Sequence, residues 1–538
     1  VTGWAHHLII APILLPLVAG ALLLLYDERR QFLKGVVNLI STLAMLCVAV
    51  TLLRFADGST TGVYQLGNWP APFGIVLVLD RLTALMLVLT SVLAIASLMF
   101  SLARWHKVGA YFHTLFQLLL MGVNGAVLTG DLFNLFVFFE VMLAASYGLV
   151  LHGSGQQRVR AGLHYIAVNL SASFLFLIGV ALIYGVTGTL NMADLAIRIP
   201  AVTGNDRLLL EAGAAVLGIA FLIKAGMWPL SFSLLNAYTV AAAPVAAIFA
   251  ILSKVGIYVL LRLSPLFFGA EAGTSEGFGS KLLLIGGMAT LTYGMIGVLA
   301  SQAMARLAAY SVLVSSGTLL TAIGFSDTGV TGGALFYLVS STLTVSAFFL
   351  LIELIERGQD PAAGILAVTA EAFGDEDEDE AEAEAGVALP GTLAILGVCF
   401  GGCGILLAGL PPLSGFIAKL AMMVALFNPA ETATGVSTTA WVFTLLLILS
   451  GLSALLAMSR VGIRVFWAPI EAVVPRVLIV EVVPIVLLLV LTLALTVQGG
   501  PVMRYMEDTA HALRAPTQYI QDVLSAPRVP APGEGGAQ

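Results

Sequence analysis

Along most of this chain polar residues do not alternate with apolar ones. They punctuate long apolar runs. Fourteen such runs stand at about 7–26, 35–55, 77–103, 111–129, 131–151, 162–186, 208–238, 242–264, 281–300, 304–325, 331–357, 391–427, 440–467 and 476–498. A helix crossing the ~30 Å hydrocarbon core needs about 20 apolar residues, so each run predicts one transmembrane helix. The runs are far longer than the ~10 residues of a barrel strand, and strands are not expected. The pattern predicts an all-α polytopic membrane protein with about 14 transmembrane helices.

Two runs are interrupted. Pro229 breaks the seventh, and Pro411 with Pro412 breaks the twelfth. Proline removes a helix hydrogen bond, and inside a bilayer the freed carbonyls must face protein or water. The two breaks echo each other: Met227-Trp-Pro-Leu-Ser-Phe-Ser-Leu234 beside Leu410-Pro-Pro-Leu-Ser-Gly-Phe-Ile417. Corresponding broken helices in two halves of a chain are the best sequence pointer to an ion or substrate site in a transporter built from repeats.

Composition reinforces the membrane reading: 59% of the 538 residues are hydrophobic, 10% are charged, and the mean hydropathy is +1.01. The formal net charge of −7 misleads, because nine acids lie between Glu371 and Glu384 and the membrane body is near neutral. Nothing points to nucleic acid. The acidic segment 371–386 repels itself and buries nothing, so a solvated loop is expected, with a cation-concentrating or partner-binding role as the alternative. The tail after Pro501 is polar and is expected to lie on the surface or be disordered. Cys47, Cys399 and Cys403 form no CxxC pattern and are expected to be small buried hydrophobes. The chain offers no ligand set for iron–sulfur or haem, no nucleotide loop and no zinc spacing among its seven histidines. No cofactor and no metal are expected. The N-terminus has no basic n-region or cleavage site, so the first apolar run is expected to be a retained span. Twelve Lys and Arg side chains fall on one side of the predicted spans and nine on the other. The positive-inside rule then puts both termini on the outer face and the acidic loop in the cytoplasm.

Three lysines lie inside spans, where a charge at the bilayer centre costs roughly 2.5–3.5 kcal/mol on insertion scales. They are Lys224, five residues before Pro229, Lys254, and Lys419, seven residues after Pro412. Glu140 is the fourth intramembrane charge. It lies nine residues past Asp131, about 13–14 Å along its helix and near mid-membrane. Burial disfavours any charged form, and an opposite charge nearby restores it, by ~4 kcal/mol at ~4 Å and an effective dielectric of ~20. A lysine that exchanges a glutamate partner for another lysine would shed its proton. The set therefore reads as a proton relay, and lysine suits it because a buried lysine titrates. The plainer reading is structural pairing of Glu with Lys. Asp80 and Asp131 stand at helix ends as caps, and Glu353 stands where it can snorkel to the interface. Ser340, Ser341 and Thr344 could hold water for a path, or bond their own helix.

The residues around these charges resemble a known superfamily. Lys224 followed by Trp228-Pro-Leu230, Ala237-Tyr238, Ala243-Pro-Val245 and Leu252-Ser-Lys-Val-Gly-Ile-Tyr258 is similar to the signature of antiporter-like membrane subunits. These are shared by Mrp-type multisubunit Na+/H+ antiporters, respiratory complex I and membrane hydrogenases. Gln65 to Ile75, Gly122 to Ala126 and Thr129 to Leu143 resemble the Mrp D subunit most. The resemblance implies fourteen helices with two inverted five-helix repeats. Residues 1–110 would hold helices 1–3, 111–264 the first repeat, 281–467 the second, 476–498 the last helix and 499–538 the tail. It implies a relay through Glu140, Lys224, Lys254 and Lys419, partner Mrp subunits, H+ and Na+ as ions, and a bacterial cell membrane. Span eleven departs from the pattern: many relatives carry a charged group there, and this chain has only hydroxyls. A complex I-like or hydrogenase pump and a non-conducting scaffold are the alternatives.

Overall fold

The computed structural model describes residues 4–58, 61–357, 391–428, 436–466 and 477–528. The acidic segment 371–386 and Arg476 lie outside the described residues. The described chain is mostly helix: α1 (Ala11–Leu25), α2 (Gln31–Ala56), α3 (Arg81–Ala103), α4 (Phe112–Leu128), α5 (Leu132–Val150), α6 (Gln156–Thr187), α7 (Met192–Arg198), α8 (Gly204–Ala225), α9 (Phe232–Val240) and α10 (Ala243–Phe268). There follow α11 (Ser280–Ala300), α12 (Met304–Phe325), α13 (Thr328–Arg357), α14 (Gly391–Ala408), α15 (Ser414–Leu426), α16 (Thr438–Phe466), α17 (Ile479–Val497), α18 (Gly499–Arg514) and α19 (Thr517–Leu524). Among the described residues twelve helices are long and apolar enough to cross a membrane, and α1, α4 and α15 are shorter apolar ones. All of them fall on the fourteen expected runs, with α8 and α9 sharing the seventh and α14 and α15 the twelfth.

Burial separates an axis from a periphery. The membrane-crossing stretches of α10 and α13 are buried throughout, whereas only about a quarter of those of α2 and α17 is buried. Helix α13 packs against α10, α12, α15, α17 and α18, so it joins elements from both halves of the chain. Glycines set the closest approaches. A Cβ at Gly256 of α10 would lie 2.8 Å from the Ala225 nitrogen, which brings α10 backbone-to-backbone onto the end of α8.

Four sequence expectations change. Residues 77–79, placed at the head of the third span, belong to the strand Val76–Leu79, which pairs antiparallel with Gly62–Gln65, and the helix starts only after Asp80. The Asp80 carboxylate accepts from the Thr83 amide at 2.9 Å and fixes that start. Long-run logic excludes barrel strands but says nothing about a four-residue hairpin. Arg262, one of the nine charges expected in loops on the less basic side, lies in the last turns of α10, where it pairs with Asp80 at 2.8 Å. The tail after Pro501 forms α18 and α19, because Met506, Ala510 and Leu513 repeat at helical spacing and bury one face. Cys399 and Cys403 are buried as expected, but Cys47 is exposed on the outer face of α2.

Candidate functional site

The two breaks have one design. Helix α8 ends at Gly226 with φ 77°, and α14 ends at Gly409 with φ 71°, a conformation glycine adopts without strain. The Met227 amide reaches back to the Leu222 carbonyl at 3.0 Å, and the Leu410 amide reaches back to Ile405 at 3.1 Å. Each glycine stands three residues before its proline, Pro229 or Pro412, and the peptide bond preceding each of those two prolines is cis.

Lys224, Lys254 and Lys419 lie at or between these breaks, and Glu140 on α5 connects to Lys224 through α6. Lys224 lies in the last turn of α8, and its ammonium donates to the Asn169 Oδ1 of α6 at 2.9 Å. One turn further along α6, the Ser173 hydroxyl donates to the Glu140 carboxylate of α5. Glu140 and Lys224 are thus joined by an amide and a hydroxyl on one face of α6. No ion pair within 4.0 Å links them among the described residues. A cavity of about 20 Å³ lies against Lys224, walled in part by Asn169, Tyr165, Ser233 and Tyr238. That is room for one water molecule.

Lys254 lies in the fully buried α10 and is only 2% exposed. Its ammonium donates to Ser315 Oγ of α12 at 2.8 Å, and Ser315 lies 2.8 Å from Ser341 Oγ of α13. Lys419, on α15, reaches back across the twelfth-span break. It donates to the Ala408 carbonyl, the last of α14, at 3.3 Å and to Ser450 Oγ of α16 at 3.4 Å. The C-terminal end of a helix carries negative partial charge, so the ammonium sits where the broken helix favours a cation. Two glycines make the space. A Cβ at Gly409 would lie 2.9 Å from Lys419 Cδ, and one at Gly451 would lie 2.4 Å from the Ala408 oxygen.

Between Lys254 and Lys419 lies a second cavity of about 20 Å³, lined by Ser311, Ser315, Ser340, Ser341, Thr344 and Ser450 among others. It touches the partner of Lys254 at one end and the partner of Lys419 at the other. Ser340 also bonds Ser414, the first residue of α15, at 2.8 Å. Thr344 donates to its own helix, to Ser340 O at 2.7 Å. The hydroxyls of span eleven thus bond within α13 and across to α15, and Ser340, Ser341 and Thr344 also line this cavity.

The sequence reading named the four charges, the three breaking prolines and the span-eleven hydroxyls. It missed Asn169, Ser173, Ser315, Ser414 and Ser450. Asn169 and Ser173 did carry a signal, a polar pair four residues apart inside an apolar run. The three other serines carried none, because serine commonly bonds its own helix in apolar runs. Asp131 caps α5 as expected, through the Phe133 and Asn134 amides at 2.9 Å. Glu353, expected to snorkel to the interface, is instead largely buried, paired with Arg357 and accepting from Trp105 Nε1 at 2.8 Å.

Interrupted membrane helices that carry buried lysines, with water-sized polar cavities between them, define an ion-translocating membrane protein. Comparison with known proteins narrows the class. Residues 129–447 match the family described as NADH:quinone oxidoreductase/Mrp antiporter, transmembrane. The D subunit of a probable K+/H+ antiporter of Rhizobium meliloti is 62% identical over 98% of this chain and 99% of its own length. The D subunit of the Na+/H+ antiporter of Bacillus subtilis is 32% identical over 96% of this chain and 99% of its own. A chain in the structure of the Mrp complex from Dietzia sp. DQ12-45-1b superposes with a TM-score of 0.82 at 28% identity, covering 97% of this chain and 100% of that one. A chain of respiratory complex I from Thermus thermophilus shares the fold, with a TM-score of 0.72 at 22% identity and coverage of 94% and 99%. The chain belongs to the NADH:quinone oxidoreductase/Mrp antiporter family, among the D subunits of Mrp-type antiporters.

Proposed function

We propose that this subunit carries protons for a monovalent cation/proton antiporter through Glu140, Lys224, Lys254 and Lys419. The observation that carries the reading is the hydroxyl-lined cavity between Lys254 and Lys419. It supplies a water-sized polar step where the sequence offers no charge. A lysine there passes its proton on through Ser315, Ser341 and a water, and Lys419 receives it beside Ser450. On the other side, Asn169 and Ser173 couple Lys224 to Glu140. The rest of the antiporter is supplied by other Mrp subunits, in a bacterial cell membrane with both termini outside. Residues 111–264 and 281–467 act as two inverted repeats, each contributing one broken helix. The relatives are named for K+ or for Na+, so the exchanged cation is either of these.

In everted vesicles carrying the assembled complex, Lys224→Ala is expected to abolish proton-driven movement of both K+ and Na+ while assembly is unchanged. Antiport at the unsubstituted rate would overturn the relay and favour a scaffold role.

A further inference from the structure

Two cavities meet the short second half of the seventh span, and one side chain stands between them. The inner one is the 20 Å³ cavity at Lys224. The outer one is about 640 Å³ and opens where α13 ends, with Trp105, Arg158, Glu353 and Glu356 around it. Among the described residues Tyr238 alone lines both.

Tyr238 is well placed to separate them. It is 2% exposed and lies on α9, a nine-residue helix bounded by the Pro229 break on one side and by Ala241 and Ala242 on the other. Its hydroxyl donates to the Phe249 carbonyl of α10 at 2.7 Å. Its ring packs against Phe249 at 5.7 Å and Phe349 at 6.4 Å between centroids. Tyr238 and Phe349 line the outer cavity, with Phe249 packed behind Tyr238. The mouth is polar: Glu356 is exposed, Glu353 accepts from Trp105, and Arg158 ties α6 to the end of α9 through the Val240 carbonyl at 2.8 Å. A wide polar cavity with two carboxylates thus ends one aromatic ring short of the lysine.

We propose that Tyr238 is a gate between this vestibule and Lys224, closed in the present conformation and opened by displacement of its ring or of α9. The destination of the proton rests on the relay reading; the partition itself does not. The test uses the purified whole complex with Cys47, Cys399 and Cys403 replaced by Ala and a reporter Ser233→Cys in the inner cavity. The probe is 2-aminoethyl methanethiosulfonate, and modification of this chain is followed by mass. Modification should be slow with Tyr238, slow with Tyr238→Phe, which keeps the ring, and faster by an order of magnitude or more with Tyr238→Ala. A Glu356→Cys reporter at the mouth should react quickly in all three. Equal Ser233→Cys rates with Tyr238 and Tyr238→Ala, or equal rates with Tyr238→Phe and Tyr238→Ala, would overturn the gate. In a Lys224→Ala background the order of the three Ser233→Cys rates should persist even if all of them rise, so the gate and the relay fail separately.

Discussion

Lys419 holds its place through what its neighbours lack. Gly409 and Gly451 leave room for the ammonium to reach the end of α14, and any side chain at either position meets Lys419 or its acceptor. Gly409→Ala would force a left-handed backbone on alanine and press its Cβ toward Lys419 Cδ, at a cost of about 1–3 kcal/mol. The expected outcome is a lower melting temperature for the complex and loss of antiport, as in a direct Lys419 substitution. Gly402→Ala is the control, because a Cβ there meets its nearest atom only at 3.9 Å. Retention of full antiport in Gly409→Ala would mean that the ammonium does not need this seat. The charges themselves were legible in the sequence because lysine inside an apolar run is costly wherever the helix points. Their seats were not, because a glycine on another helix gives no sign of the side chain it admits.

At the scale of elements, helix ends carry the readable chemistry and the pH dependence. The loop after α3 and the end of α5 are joined by His152, whose Nε2–H donates to the Trp105 carbonyl at 2.7 Å; that acceptor fixes the tautomer. Burial holds this imidazole below the ordinary value of about 6.5, despite the carbonyl bond that acts the other way. His106, bonded to the Ser101 carbonyl at 3.1 Å, is lowered by burial in the same way. The fold thus favours neutral rings, while unfolded histidine takes up a proton near pH 6.5. The stabilisation is complete above that pH and is lost as the pH falls through the lower native values. Thermal unfolding of the complex should therefore worsen between pH 7.5 and pH 5, and His152→Gln should flatten that slope. An unchanged slope in the variant would remove His152 from the account. The same scale shows why the sequence misplaced some elements. Run length located α10 and α13 well, because a fully buried helix is apolar on every side. It absorbed most of Val76–Leu79 into a helix, because apolar strand and apolar helix look alike over four residues. It missed α18, because a helix that buries only Met506, Thr509, Ala510 and Leu513 is polar on average.

Taken whole, the molecule places its two fully buried helices, α10 and α13, between its two broken ones. In the proposed relay that arrangement makes span eleven the crossing point from the first half to the second. Ser315, the partner of Lys254, and Ser450, the partner of Lys419, both line the cavity here, and the other polar side chains around it are also hydroxyls. A charged side chain at this point would trade directly with a lysine. Hydroxyls need a water, and the cavity of about 20 Å³ has room for one. The crossing therefore depends on space as well as on polarity, and two substitutions separate these. Ser341→Ala removes one hydroxyl and leaves the space, with Ser315, Ser340 and Ser311 still able to hold the water. Ser341→Val keeps the helix but fills the space with methyl groups. Antiport measured in vesicles should fall partially with Ser341→Ala and almost completely with Ser341→Val, while both complexes assemble. If Ser341→Val transports as well as Ser341→Ala, protons do not cross between the halves here, and each half must exchange its protons with a neighbouring subunit instead.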